Sequence, residues 1–241
     1  VLRGCPKCGN RMKGPFKGRK DRVPRYECWN YHCENFMKEM YVFHGEFATS
    51  RAEVFQTLAS RAKNLDRVFT DYLNKDPWKI ERFNDAQQEA FVTVMQKIYQ
   101  EGTKKGVISL PTGAGKTLLS ACLARELLLK EFLSKGQLAH ILVLAPRRVI
   151  RHQMKEGPAF NEKGKGVFED LQPVVKIRPL EEESTPMSER LCEYLNEEWP
   201  NIIITTPQLI DRAYNDKVFR EKLEASLKNV KILILDEAHH T

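Results

Sequence analysis

Leu110-Pro-Thr-Gly-Ala-Gly-Lys-Thr117 is the stretch from which the fold is read. Upstream of it, Gly106-Val-Ile-Ser-Leu110 is short, apolar and β-branched, the pattern of a buried strand. Downstream, Thr117-Leu-Leu-Ser-Ala-Cys-Leu-Ala-Arg-Glu-Leu-Leu-Leu129 is a strong helix former. A glycine-rich turn between strand and helix points successive backbone N–H groups at one anion, and the helix N-terminus adds partial positive charge. Thr112, Gly113, Ala114 and Gly115 form the turn, and the two glycines permit close approach. Lys116 can reach the outer phosphates, and Thr117 offers a hydroxyl to a magnesium ion. The pattern predicts a nucleoside triphosphate cradle, although Leu110 stands where the general pattern has glycine or alanine.

A second apolar run, Lys231-Ile-Leu-Ile-Leu235, ends directly in Asp236-Glu237. In an open parallel sheet, ligands collect at the carboxyl ends of the strands. Two carboxylates there can divide the work. Asp236 would hold magnesium, and Glu237 would orient and deprotonate an attacking water. On its own an acidic turn is better read as solvated surface; beside a phosphate loop it is not.

Between these stretches the chain alternates apolar runs with helical patterns. Strands are expected at 106–110, 140–145, 173–178, 201–205 and 230–235, with helices at 117–133, 147–156, 188–197 and through 227. Residues 156–171, rich in glycine and charge, read as a loop. Alternation of this kind implies an α/β fold, a parallel sheet with helices on both faces. Before it, Ser50 and Glu53 make a capping-box signature for a helix over 49–75, and Asp85 opens another running to about Gln100. Cys122 and Cys192 fall on helices and read as core residues.

Pro-Thr-Gly-Ala-Gly-Lys-Thr together with Asp236-Glu-Ala-His239 resembles motifs I and II of the superfamily-2 helicases and translocases. Ile141-Leu-Val-Leu-Ala-Pro146 with Arg147-Arg148 resembles motif Ia, and Ile202-Ile-Ile-Thr-Thr-Pro-Gln208 resembles motif Ib. Phe83-Asn-Asp-Ala-Gln87 resembles the adenine-reading region of that superfamily, without its usual aromatic; the adjacent Gln88 is equally able to serve. The resemblance implies a RecA-like first lobe over 80–241 that binds ATP and Mg2+, with Lys116, Asp236 and Glu237 catalytic. It also implies that Pro146, Arg147, Arg148, Thr205 and Thr206 grip a nucleic-acid backbone, and that a second RecA-like lobe completes the site. Without that lobe the chain is expected to hydrolyse ATP poorly. The Asp-Glu-Ala-His block, with His240 and the Thr-Thr-Pro-Gln block, looks more like the restriction-enzyme and DNA-repair branch than the RNA-processing branch. A nuclease or defence-complex partner and an ATP-sensing binder without motor activity remain open.

The amino-terminal segment carries different chemistry. Cys5-Pro-Lys-Cys8 and Cys28-Trp-Asn-Tyr-His-Cys33 are two close cysteine pairs separated by 19 residues. Four thiolates on two tight turns suit tetrahedral zinc; a pair of disulfides competes, and His32 could replace Cys33 as fourth ligand. Residues 1–40 hold ten Lys/Arg against four Asp/Glu, nearly all of the net charge of +7. Cations interleaved with Phe16, Tyr26, Trp29 and Tyr31 are what single-stranded nucleic acid requires, charge for phosphates and flat rings for bases. The segment resembles the zinc-ribbon repeats of type IA topoisomerases, whence a preference for DNA over RNA. The expected organisation is a zinc-ribbon-like module over 1–47, a helical linker over 48–79 and the ATP-binding lobe over 80–241. No run approaches the roughly 20 apolar residues of a membrane span. No leader pattern is present, so a cytoplasmic, nuclear or nucleoid location is expected rather than secretion.

Overall fold

The structure, a computed structural model, describes residues 4–16, 22–63, 83–163, 166–180 and 187–236. Four short strands come first: β1 (Lys13–Phe16), β2 (Arg25–Glu27), β3 (Glu39–Phe43) and β4 (Glu46–Ala48), paired antiparallel in sequence order. Alternation along β3 divides their surroundings. Met40 lies with Met12 and the four paired cysteines, whereas Tyr41 and Phe43 belong to the large core of the rest of the molecule.

Helix α1 (Arg51–Arg61) begins at Ser50, whose side chain accepts from the Glu53 amide, as the capping-box signature requires. It ends at Arg61 rather than near residue 75, and residues 64–82 lie outside the described part. Val54, Phe55 and Leu58 are fully enclosed in the main core, so α1 is a packing helix.

The second sheet is parallel, ordered β6-β7-β5-β8: β5 (His140–Leu144), β6 (Lys176–Pro179), β7 (Asn201–Thr205) and β8 (Val230–Leu235). Around it lie α2 (Asp85–Glu101), α3 (Lys116–Leu127), α4 (Arg148–Glu156), α5 (Met187–Leu195), α6 (Pro207–Asn215) and α7 (Lys217–Leu227). Two apolar clusters sandwich the sheet. Ile141, Val143, Ile202 and Ile204 face the larger one; Leu142 and Ile203 face the smaller one with Leu191, Leu209 and Leu223. The sheet is that of a RecA-like lobe.

One expectation needs correction. Residues 106–110 join no ladder: the backbone is irregular and Val107 is almost wholly exposed. The outer edge of β8 is likewise unladdered among the described residues, and Leu233 and Leu235 stand half-exposed. The stretch after α4 is largely irregular, as read, but it is not at the surface. It contributes Ala159, Phe160, Val167, Phe168 and Leu171 to the main core, with Phe160 stacked on Phe168.

The two sheets meet at the amino ends of the parallel strands. Arg22, just ahead of β2, inserts a guanidinium whose side chain is 2% exposed. It donates to the Val174 and Pro200 carbonyls at 2.9 and 2.7 Å and pairs with Glu197, and Arg178 approaches Glu197 from β6. Trp199 packs edge-on against Tyr41 and Phe55.

Candidate nucleotide and metal sites

Gly113 and Gly115 adopt φ of 81° and 75°, a left-handed backbone that side chains rarely tolerate, and Gly115 is the N-cap of α3. No side chain caps that helix end. By contrast, Ser50, Asn84, Thr206 and Asp216 cap α1, α2, α6 and α7. The first-turn amides of α3 are therefore left for an external anion. A Cβ built at Gly113 meets nothing within 4 Å, so the loop borders open space there. Thr112 and Gly113 are exposed, and Ala114, Lys116 and Thr117 are half-buried.

The topology puts this loop at the same end of the sheet as Asp236. Helix α3 continues through a π-turn (Leu128–Phe132) and a 3-10 turn (Leu133–Lys135), then enters β5 after a short link. It therefore runs opposite to β5, with Lys116 and Thr117 at the carboxyl ends of the strands. Asp236 follows β8 there; its amide donates to the Leu144 carbonyl at 2.9 Å. Helix α3 also packs directly on β8. Glu237 and His239 lie outside the described residues.

Gln87 is buried and tied to this loop. Its Oε1 accepts from the Asn84 amide at 3.0 Å, closing a capping box, and its Nε2 donates to the Gly115 carbonyl at 3.2 Å. A Cβ at Gly115 would meet that Nε2 at 2.3 Å. Gln87 thus braces the glycine-rich loop, and its amide keeps one N–H and one lone pair beyond these bonds. The exposed Gln88 carries no such constraint.

The remaining strand-end residues divide. Arg147 is the N-cap position of α4, a start where again no side-chain cap is seen, and it directly follows Pro146. The Arg148 side chain lies outside the described part. Thr205 is fully buried, and the Thr206 hydroxyl accepts from the Leu209 amide at 3.1 Å. Both residues are buried in this structure, and the Thr206 hydroxyl, which accepts here, keeps its own O–H to donate.

In the amino-terminal module the Sγ atoms of Cys5, Cys8, Cys28 and Cys33 all lie within 4.8 Å of one another. The Cys5–Cys33 and Cys8–Cys28 separations are both 3.7 Å. A disulfide requires about 2.05 Å, whereas a tetrahedron of sulfurs about 2.3 Å from one zinc ion has an edge of about 3.8 Å. The cluster has the dimensions of a zinc site. Burial opposes ionisation of Cys5, yet the Cys8 and Lys7 amides hold its thiol down to about 6. Burial pushes Cys28 up to about 12, and the adjoining thiols add to the rise. Four thiolates crowd one another, and a divalent cation removes that cost. His32 is exposed, and the described cluster does not include it.

Comparison with known proteins adds three findings. A family model described as "Type III restriction enzyme, res subunit" matches residues 80–241, more than half of the chain. The chain is 31% identical over 129 residues to a zebrafish (Danio rerio) protein named ATP-dependent RNA helicase DDX55. That alignment covers 53% of this chain and 20% of the relative, so the chain spans only a fraction of that protein. No solved structure matches.

Proposed function

Since the chain belongs, through residues 80–241, to the family described as the res subunit of type III restriction enzymes, we propose that it is the nucleotide-binding part of an ATP-dependent nucleic-acid motor of superfamily 2. The observation that carries this is the uncapped start of α3 behind Gly113 and Gly115, at the strand ends where Asp236 emerges. The backbone amides there and Lys116 would hold the phosphates, and Thr117 and Asp236 would hold Mg2+, which supplies charge neutralisation between phosphates when bound. Glu237 would orient the attacking water. Gln87 stiffens the loop, and Gln88 is the better-placed candidate to read adenine. Arg147 and Arg148, with the open end of α4, would meet strand phosphates. Thr205 and Thr206, at the end of β7, would add contacts to the same backbone. A second RecA-like lobe completes the site in the longer protein, and the cysteine cluster binds zinc.

DNA is the preferred strand, from the topoisomerase-like opening of the cysteine module. The relative named as an RNA helicase supports RNA as the second reading. The test is equilibrium binding of a fluorescent ATP analogue to the chain. Lys116→Ala should abolish binding, whereas Glu237→Gln should retain it and lose whatever turnover the wild type has. Unchanged nucleotide affinity in Lys116→Ala overturns the proposal.

A further inference from the structure

Large apolar side chains are concentrated on the outside of one loop. Between β2 and β3, the segment carrying Cys28 and Cys33 exposes Trp29 by 48%, Tyr31 by 75%, Phe36 by 40% and Met37 by 58%. Shielding the cysteines does not require this; Met12, Met40 and the half-buried Tyr26 and Phe47 already pack there. The opposite face of the sheet is closed by the lobe through Val23, Tyr41 and Phe43. Trp29 lies against Lys13 and Glu27, on the same side of the sheet as Tyr41, and still stands half-exposed.

Their positions are held rather than loose. Trp29 donates its indole N–H to Glu27 at 3.2 Å, and the Lys13 ammonium sits 3.3 Å from its ring centre. Asn30 accepts from the His32 amide at 3.1 Å, fixing the turn that carries Tyr31, whose ring lies 4.1 Å from that of His32. Phe36 donates its amide to the Cys33 carbonyl, and the Met37 amide donates to Cys28 at 2.7 Å from a left-handed backbone, φ 54°. Rings fixed in this way lose little conformational freedom on binding.

The surrounding charge indicates the occupant. The three carboxylates of the described loop and its strands are already engaged: Glu27 with Trp29, Glu34 with Lys7 and Glu39 with Arg25. Arg11, Lys13 and Lys38 are exposed, Lys13 over the Trp29 ring and Lys38 next in sequence to Phe36-Met37. Residues 1–40 have six more basic than acidic side chains, which outweighs the charge of minus two on a zinc tetrathiolate. Flat exposed rings among uncompensated cations suit unpaired bases on a phosphate backbone, not an apolar protein helix.

We propose that Trp29, Tyr31 and Phe36 form a stacking platform for the bases of single-stranded nucleic acid, with Arg11, Lys13 and Lys38 contacting its phosphates. This rests on the nucleic-acid reading above and names the strand form and the residues that take it. Lys13 would exchange its place over the indole for a phosphate as a base stacks.

The test measures binding of the zinc-loaded chain to an oligothymidylate of about a dozen nucleotides, to its RNA counterpart, to an abasic strand of equal length and to a duplex, over a range of salt. Trp29→Ala and Tyr31→Ala should each weaken oligothymidylate binding about tenfold with an unchanged salt slope. Lys38→Ala should weaken all strands and lower the slope by about one. The abasic strand should bind wild type as weakly as oligothymidylate binds the aromatic variants. Zinc content and circular dichroism verify that the variants fold. Should the wild type bind no strand, the nucleic-acid reading itself fails. Binding that Trp29→Ala and Tyr31→Ala leave unchanged, or equal affinity for the abasic strand, overturns the platform alone. Tighter binding to the duplex also overturns it. The DNA and RNA arms decide which backbone is preferred.

Discussion

Acidification should weaken this fold through one histidine at the joint between the two sheets. His140 opens β5, is fully buried, and accepts from the Asn201 amide through Nδ1 at 3.1 Å. That bond leaves the single proton on Nε2, so a second proton must displace the amide. Burial, then the positive charge of Arg22, lowers its pKa to about 4. The unfolded chain takes up a proton near 6.5. The stabilisation by neutral imidazole is thus complete above pH 6.5 and is lost as the pH falls toward 4. A gap of about 2.5 units corresponds to about 3 kcal/mol in full, of which about 2 kcal/mol is gone by pH 5. Urea unfolding of wild type and His140→Gln, at about pH 7.5 and about pH 5, isolates this share. Glutamine keeps an acceptor for Asn201 and does not titrate, while thiolates and carboxylates act on both proteins and cancel. The wild-type advantage should shrink by about 2 kcal/mol on acidification; a difference that does not move refutes the argument.

Other perturbations separate the joint, the loop and the metal. Arg22→Met should cost about 3–5 kcal/mol in urea unfolding, because Glu197 is left without its closest cation; pairing it with Glu197→Gln should recover part of the loss. Gly115→Ala should weaken nucleotide binding in titration calorimetry. Its Cβ meets Gln87 and its φ is left-handed, so Gln87→Ala should relieve the clash but not the strain. Cys5→Ser should lower zinc content by mass spectrometry and weaken strand binding much more than nucleotide affinity. Loss of both to the same degree would tie the metal to the whole fold.

The parts of this molecule legible in its sequence are those fixed by local periodicity. Ile202, Ile203 and Ile204 announce a strand buried on both faces, and β7 runs from Asn201 to Thr205 as read. Val107, Ile108 and Leu110 send the same local signal, yet pair with nothing among the described residues. β-branched composition gives the capacity to join a ladder and does not supply the neighbour. Arg22 and Arg125 were illegible for the complementary reason. Arg125, on the buried side of α3, pairs with Asp170 and donates to the Val167 and Lys63 carbonyls. Its partners come from sequence-distant segments, so no spacing rule could bring them together. The apolar residues after α4 were hidden by the glycines and charges between them.

Helix starts make the same distinction within the candidate site. Every helix leaves amide donors at its first turn that something must satisfy. Where the chain offers Ser50, Asn84, Thr206 or Asp216, it satisfies them itself. At Gly115 and Arg147 it offers no side chain. These two helices follow the loops read from sequence as phosphate-binding and strand-binding, and an anion is the natural partner for such donors. Thr206 shows how a cap and a proposed strand contact can fall on one residue. Its loop occupies the expected strand end, and its hydroxyl, which accepts from the Leu209 amide, still has its own O–H to donate. Which donors and acceptors of a motif remain for a ligand is therefore set in part by capping, and capping becomes visible only once the helix bounds are known.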